Sequence, residues 1–358
     1  MRFQRTLILT AGMALLLSLG SARPIAAQRT PRRVLLALSK HDHTLAIVDP
    51  ATLRVIARAP VGPDPHEVIA STDGRLAYVS IYGGGRYHAL SVIDLIAQKA
   101  LPDIDTGALN GPHGLAFVGG KLWFTAEGAK AIARYDPVTG KIDWIMGTGQ
   151  NRTHMIYVRP DQQQIYTTNV SSGTVTFLQQ VALPPMGPPP GMHRPAGSPL
   201  PPPGAQPSRK DWNETVIPVG RGDEGFDVSP DGRELWTANA QEGTLSIINI
   251  ASKTVTATLD VKIFGANRLR FTPDGRRVFI SSLAKGNLFV YDSATRKEIR
   301  QIPIGQGAAG ILMDPVGNRA FVACSPDNYI AIIDLKTLRV TGHLNVGGDP
   351  DGMAWAVR

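Results

Sequence analysis

Residues 225–261 read GFDVSPDGRELWTANAQEGTLSIINIASKTVTATLDV, and residues 268–305 read RLRFTPDGRRVFISSLAKGNLFVYDSATRKEIRQIPIG. The second stretch repeats the plan of the first. An apolar strand enters a Pro-Asp-Gly turn, and a second strand follows that is apolar with small hydroxyl residues. A third strand ends on a polar side chain, and a fourth, Thr- or Ile-rich strand closes the unit. Working outward in both directions, the same plan occurs seven times. Four short strands per unit, repeated at this spacing, are the signature of a β-propeller. With residues 181–212 set aside, the chain from residue 31 leaves about 42 residues per unit, inside the range of roughly 40–45 expected for a four-stranded blade. The fold class predicted is all-β, a seven-bladed propeller.

The turns have physical reasons. Asp73-Gly74, Asp231-Gly232 and Asp274-Gly275 supply left-handed backbone in the first hairpin of a blade at little cost. Asp49, Asp94, Asp136, Asp292 and Asp334 end third strands, where the side chain can cap the following turn. The chain enters at a second strand (residues 34–39) and finishes on an unpaired first strand (residues 351–357). Pairing the two completes a blade and closes the ring without an open edge.

Residues 1–27 read as a secretory signal: Arg2 and Arg5, then an apolar run at 6–19, then small residues with cleavage after Ala27 or Ala22. The run is too short to span a bilayer. The protein is therefore expected in the periplasm or secreted, with a propeller domain over residues 28–358. Removing Arg2, Arg5 and Arg23 takes the net charge from +8 to +5, a mild basic balance that does not by itself imply nucleic acid. Cys324 is the only cysteine, so no internal disulfide forms, and its strand AFVACS predicts an inert buried thiol.

The second-strand texts AYVSIY (77–82), IYTTNV (165–170) and LWTANA (235–240), with their flanking Val-Gly and Pro-Asp-Gly elements, resemble the YVTN-type propeller repeat of exported bacterial proteins. The resemblance covers nearly all of the chain after the leader except the insert, and it implies fold more than function. Propellers of this kind include cell-surface proteins, a periplasmic binder of single-stranded DNA, lactonases and the copper-binding domain of nitrous oxide reductase.

In a propeller, loops from each fourth strand to the next first strand share one face, here called the top, with the loops between second and third strands. The residue opening each inner strand should lie at the channel mouth. Those seven positions are His66, His113, His154, Glu224, Asn267, Ala309 and Asp351. Five of the seven are His or acidic, a bias that sheet packing does not require. His41, His43 and His88 fall on the same face, whereas His193 and His343 do not. His66, His113 and His154 on successive blades make a candidate metal site suited to Zn or Cu, and polar caps of a water-filled channel are the alternative. Further ligand-binding candidates are Arg152, Arg221 and Arg268 just before or within inner strands, and Glu127, Asn169 and Asn239 at second-strand ends. The loop GGGRYH, with Tyr82 before it, could fold over the mouth.

Two dinucleotide-binding patterns, Gly220–Gly225 and Gly305–Gly310, are each followed by a predicted strand rather than the helix that chemistry needs. Residues 181–212, with PPMGPPPGMHRP and SPLPPPGAQP, form a Pro-rich insert in blade 4 expected to be extended or disordered and able to dock a partner. Three functions follow: a non-catalytic module binding a small molecule or protein at the top face, a metal-dependent lactonase-like hydrolase or lyase, and a binder of single-stranded nucleic acid. The 6% aromatic content weighs against the last, which needs exposed rings.

Overall fold

The computed structural model describes residues 29–183, 209–314, 316 and 318–358. The secretory signal expected over residues 1–27 lies outside the described residues. So does most of the insert.

Seven four-stranded antiparallel sheets stand in a ring, and the described residues contain almost no helix beyond a 3-10 turn at Gly83–Gly85. No helix among them is long and apolar enough to cross a membrane. Blades 2 to 7 run inner to outer strand in chain order, and blade 1 takes its inner strand, Pro350–Val357, from the end of the chain. That strand pairs with Arg33–Ser39 through Arg33↔Val357, Leu35↔Trp355 and Leu36↔Ala354, the closure expected from the sequence.

Second strands are buried throughout because both faces of each blade are covered by neighbours. At one register they carry Leu36, Tyr78, Trp123, Tyr166, Trp236, Phe279 and Phe321, none more than 2% exposed. These side chains fill the space between adjacent sheets, where each aromatic ring buries roughly 150–250 Å². Apolar clusters accordingly bridge neighbouring blades, as Leu36, Leu38, Val79 and Ile81 do between blades 1 and 2. Fourth strands alternate exposed and partly buried residues, as KIDWIMG does at Lys141–Gly147, which is the pattern of a solvated rim.

The hairpin chemistry follows the residues. Asp49, Asp94, Asp136, Asp292 and Asp334 each accept a backbone N–H two or three residues on. Gly74, Gly232 and Gly275 hold positive φ. Strands follow both dinucleotide-like patterns, at Asp223–Val228 and Ala308–Met313.

The insert boundaries differ from the expectation. The third strand of blade 4 runs Thr174–Leu183 and the fourth Arg209–Pro218, paired from Thr174↔Pro218 out to Leu183↔Arg209. Residues 181–183 and 209–212 are thus β-ladder, not part of an unstructured insert. Trp212 helps hold this extension by packing against Trp144, ring centroids 5.6 Å apart.

Candidate functional site at the channel mouth

The top-face assignment rests on backbone bonds between the two loop sets. Tyr82 N–H donates to Asp64 O, Gly128 N–H to Asn110 O, Ser171 N–H to Asn151 O and Gln241 N–H to Arg221 O. Just inside this face every inner strand breaks its ladder. Pairing skips from Pro65 to Val68, from Pro112 to Leu115 and from Thr153 to Ile156, with equivalent breaks in the other blades. Such a bulge re-aims side chains, and the residues it frees are His66, His113, His154, Glu224, Asn267, Ala309 and Asp351.

In four blades a second-strand hydroxyl, of Ser80, Thr125, Thr168 or Ser281, accepts the N–H that the ladder loses. Thr125 Oγ1 accepts from Gly114 N–H at 2.9 Å and donates to His154 O at 2.6 Å. Ser281 Oγ likewise joins Arg268 N–H to Ala309 O. Three blades thus grip the mouth residue of the next, the third through Thr168 Oγ1 donating to Glu224 O. The grip is close: a Cβ on Gly114, Gly225, Gly310 or Gly352 would lie 2.5, 2.4, 2.4 or 2.3 Å from the neighbouring strand's carbonyl oxygen. At the same position the other three blades carry Glu67, Met155 and Arg268.

Three histidines meet at the mouth. The His113 and His154 rings have centroids 3.8 Å apart, and the His66 and His113 rings 5.0 Å. His66 Nδ1 is 3.2 Å from His113 Nε2, and His66 Nε2 is 3.0 Å from Asp64 Oδ1. His154 Nδ1 bonds Glu127 Oε1. Glu127 also accepts from the Tyr82 hydroxyl at 2.6 Å and from Arg152 Nε at 3.4 Å. Arg152 Nη2 reaches to 4.0 Å from Glu224 Oε1, which lies 3.5 Å from His154 Nε2. Asp351 Oδ2 sits 3.7 Å from His66 Nδ1 and 3.6 Å from Lys40 Nζ.

His113 Nδ1 and His154 Nε2 are buried without a hydrogen-bond partner among the described residues, an arrangement native interiors rarely tolerate unless a group arrives to fill it. His113, Glu127 and His154 each offer a ligand atom, all within 4.8 Å of one another, so the group could hold a metal ion.

Burial, then the neighbouring His154 and His66, hold the His113 imidazole far below its ordinary value. Burial raises Glu127, but the bonds from His154 and Tyr82 and the charge of Arg152 outweigh it, and its carboxyl stays below the usual range. Burial and then Glu127 push the Tyr82 hydroxyl up. The bond from His66 draws Asp64 down to about 2. Around the mouth, Asp64, Glu67, Glu127, Glu224 and Asp351 face Lys40, Arg152 and Arg268. With neutral imidazoles the site carries an excess of two negative charges.

Backbone conformation singles out two of these residues. The position two before each mouth residue is left-handed in all seven blades: Gly111, Gly222, Gly265 and Gly307, but also Asp64, Arg152 and Asp349, at φ of 55°, 53° and 51°. A non-glycine residue there costs about 1 kcal/mol. Asp64 and Arg152 offset it with side-chain bonds into the mouth.

Arg268 crosses the axis from blade 6 to bond Glu67 of blade 2. It closes the channel beneath the histidines and is itself 95% buried. Burial alone would lower its pKa, but Glu67, Asp351 and Glu224 raise it.

Three candidates belong elsewhere. Asn169 and Asn239 are fully buried and tie their own hairpins, Nδ2 donating to Thr174 and Thr176 in one case and to Thr244 and Ser246 in the other. Glu127 lies one residue further along the blade than these two, past Ala126 rather than on the strand, and that offset turns it to the mouth. Lys40 and Tyr82 share the offset in blades 1 and 2. Arg221 is exposed and paired with Glu242 on the rim. The GGGRYH loop packs sideways on blade 3, where a Cβ on Gly111 would meet Gly85 Cα at 2.7 Å, so only Tyr82 enters the mouth. His41, His43 and His88 are exposed on the rim. Cys324 is buried, and desolvation raises its thiol to about 12.

The Asn239 assignment has a direct test. Asn239→Ala should lower unfolding free energy by about 1–3 kcal/mol, because it strands Thr244 and Ser246. Ligand binding at the mouth should be unchanged, as checked by urea titration and calorimetry.

No family model matches the chain, and no curated protein matches it. Its fold is similar to that of a functionally unknown protein from Desulfotomaculum acetoxidans: TM-score 0.68, 11% identity, 90% of this chain and 99% of that one. A candidate 6-phosphogluconolactonase from Bacteroides fragilis aligns with TM-score 0.67 and 15% identity over 91% and 98% of the two chains. A dihydro-heme d1 dehydrogenase aligns with TM-score 0.59 and 17% identity over 87% of this chain and 63% of that one. At these identities the likeness establishes the propeller fold alone.

Proposed function

We propose that the protein is an exported binding propeller, kin to the YVTN-repeat proteins, whose top-face mouth takes a divalent transition metal as its first ligand. One observation carries this reading: His113, Glu127 and His154 bring ligand atoms within 4.8 Å of one another, and His113 Nδ1 and His154 Nε2 are buried without a hydrogen-bond partner among the described residues, in a site that with neutral imidazoles carries a surplus of two negative charges. A dication balances that charge and gives both nitrogens a partner. Mixed imidazole and carboxylate donors suit zinc or copper. Glu127, bonded to His154 Nδ1, would fix the tautomer that leaves Nε2 to coordinate, a common outer-shell arrangement. His66 and Glu224 stand close enough to complete the set.

A metal-dependent hydrolase or lyase of the lactonase kind is the second reading. It is favoured by the His154–Glu127 pair, which resembles an oriented general base, and by Arg152 beside Glu224, placed to steady an anion. Nucleic acid fits less well, since a mouth with surplus negative charge repels phosphate. Export, and partner docking by the Pro-rich segment, belong to this proposal and rest on the sequence.

Metal analysis of protein purified without a His tag tests the main reading. Stoichiometric Zn or Cu is expected, or uptake on titration of the apo-protein. Saturation at 100 times Kd should add about 2.7 kcal/mol of stability. His113→Ala and His154→Ala should abolish the effect while keeping a cooperative melt. Metal-free protein whose melt ignores added Zn and Cu would remove the metal reading. Lactone turnover by metal-loaded protein, lost in Glu224→Gln, would favour the enzyme over the binding module.

A further inference from the structure

Below the Glu67–Arg268 bridge lies a chamber of about 340 Å³, lined by inner-strand residues of all seven blades. Its wall is mostly hydrocarbon and ring, with Leu115, Met155, Tyr157, Phe226, Met353 and Trp355 prominent. Leu115, Tyr157, Met353 and Trp355 are only partly buried, so water reaches them. Wetted apolar surface in a concave, enclosed setting is the usual mark of a small-molecule site.

Polar groups are few and lie to one side. Arg270 Nη1 is 3.4 Å from Phe226 O and 3.6 Å from Asp227 Oδ1. The Asp227 oxygens are already engaged by backbone, Oδ1 by its neighbour Val228 N–H and Oδ2 by Phe271 N–H across the blade interface. Among the described residues only Nη1 of the Arg270 guanidinium meets a hydrogen-bond or ion-pair partner. Burial raises the Asp227 carboxyl, with the charge of Arg270 and the bonds from Phe271 and Val228 opposing it.

We propose that this lower chamber is a second binding site, separate from the mouth, for a small amphipathic monocarboxylate: the carboxylate pairs with Arg270 and the apolar body lies among Met155, Met353 and Trp355. The size follows from scale. A cavity of about 150 Å³ accommodates the six carbons of benzene, so this one takes on the order of a dozen heavy atoms. A medium-chain alkanoate or an aryl carboxylate has that size. The Glu67–Arg268 bridge roofs the chamber and keeps its occupant from the histidines, so the two sites should bind independently. A guanidinium holds a carboxylate by paired, charge-assisted bonds that an alcohol cannot reproduce.

Octanoate and 1-octanol, titrated into the full chain by calorimetry and by tryptophan fluorescence, test the assignment. Octanoate should saturate one site, and octanol should bind at least ~10-fold more weakly, the loss expected for one charge-assisted contact. Arg270→Gln should bring octanoate down to the affinity of octanol. Met353→Trp, which fills the chamber, should abolish binding. Trp355→Phe should silence most of the fluorescence change, marking that indole as the reporter. Arg270 is partly exposed, so its variant tests the site even where the filled chamber misfolds. No saturable heat with octanoate at millimolar concentration, or equal affinity in wild type, Arg270→Gln and a folded Met353→Trp, would overturn the proposal.

Discussion

A chain ending at Gly348 is expected to lose its cooperative fold. The deleted segment is the inner strand of blade 1, and its pairing with Arg33–Ser39 is, among the described residues, the only ladder joining the two ends of the chain. Ala354 and Ala356 lie in the apolar cluster between blades 1 and 2. Trp355 packs against Phe321 of blade 7 and donates Nε1–H to Met313 O at 2.8 Å. Deletion therefore frees three surfaces at once. The strand RVLLALS at Arg33–Ser39 would present a bare, apolar edge, the kind that pairs with other copies. Because the ring is held by neighbour contacts, loss of one inner strand uncouples blades 7, 1 and 2 together. The shortened chain should be recovered as aggregate, or as soluble material without a sigmoidal melt by circular dichroism. A soluble monomer melting within a few degrees of the full chain would show that the ring does not depend on this closure.

The same strand shows how far the sequence could be read. Second strands stood out because both faces are buried: all seven begin and end where the repeat places them, as Lys121–Ala126 and Glu234–Asn239 do, or within one residue at one end. Repetition also indexes equivalent positions, which is why His66, His113, His154, Glu224 and Asp351 could be grouped from residues scattered over nearly 300 positions. What the repeat could not supply was the phase of the bulge. In four of the seven blades hydroxyls such as that of Thr125 take over the ladder bond the bulge breaks, and one residue of phase decides whether a side chain enters the mouth. Asn169 and Asn239 sit on the buried side of that boundary, Glu127 just beyond it. The hairpin extension at Val181–Leu183 and Arg209–Trp212 was hidden for another reason. Its strands pair across a long excursion, and neither arm alternates clearly enough to announce a strand. The repeat alone makes Arg268 a ligand-binding candidate near the mouth. Its role as an axial bridge depends on a partner 201 residues away, and no local pattern encodes that distance.

That bridge leads to the second large effect. Glu67→Leu should destabilise the protein by about 3–5 kcal/mol, the usual consequence of stripping one partner from a buried ion pair. The Glu67 and Arg268 side chains are 13% and 6% exposed, so neither can turn to bulk water when the other is gone. Asp351 and Glu224 act on Arg268 as well. They already serve Lys40 and Arg152, so they soften the loss without cancelling it. Arg268→Met should cost a comparable amount, since it leaves the Glu67 carboxylate on the axis above an apolar chamber. The double variant Glu67→Leu/Arg268→Met removes both charges and fills the gap with hydrocarbon. It should recover most of the stability lost in either single variant, because exchanging a whole buried pair for apolar groups is often neutral. Denaturant titration of the four proteins gives the coupling directly. Two small, additive losses would mean that the bridge contributes little, and that the channel is closed by the packing of the inner strands alone.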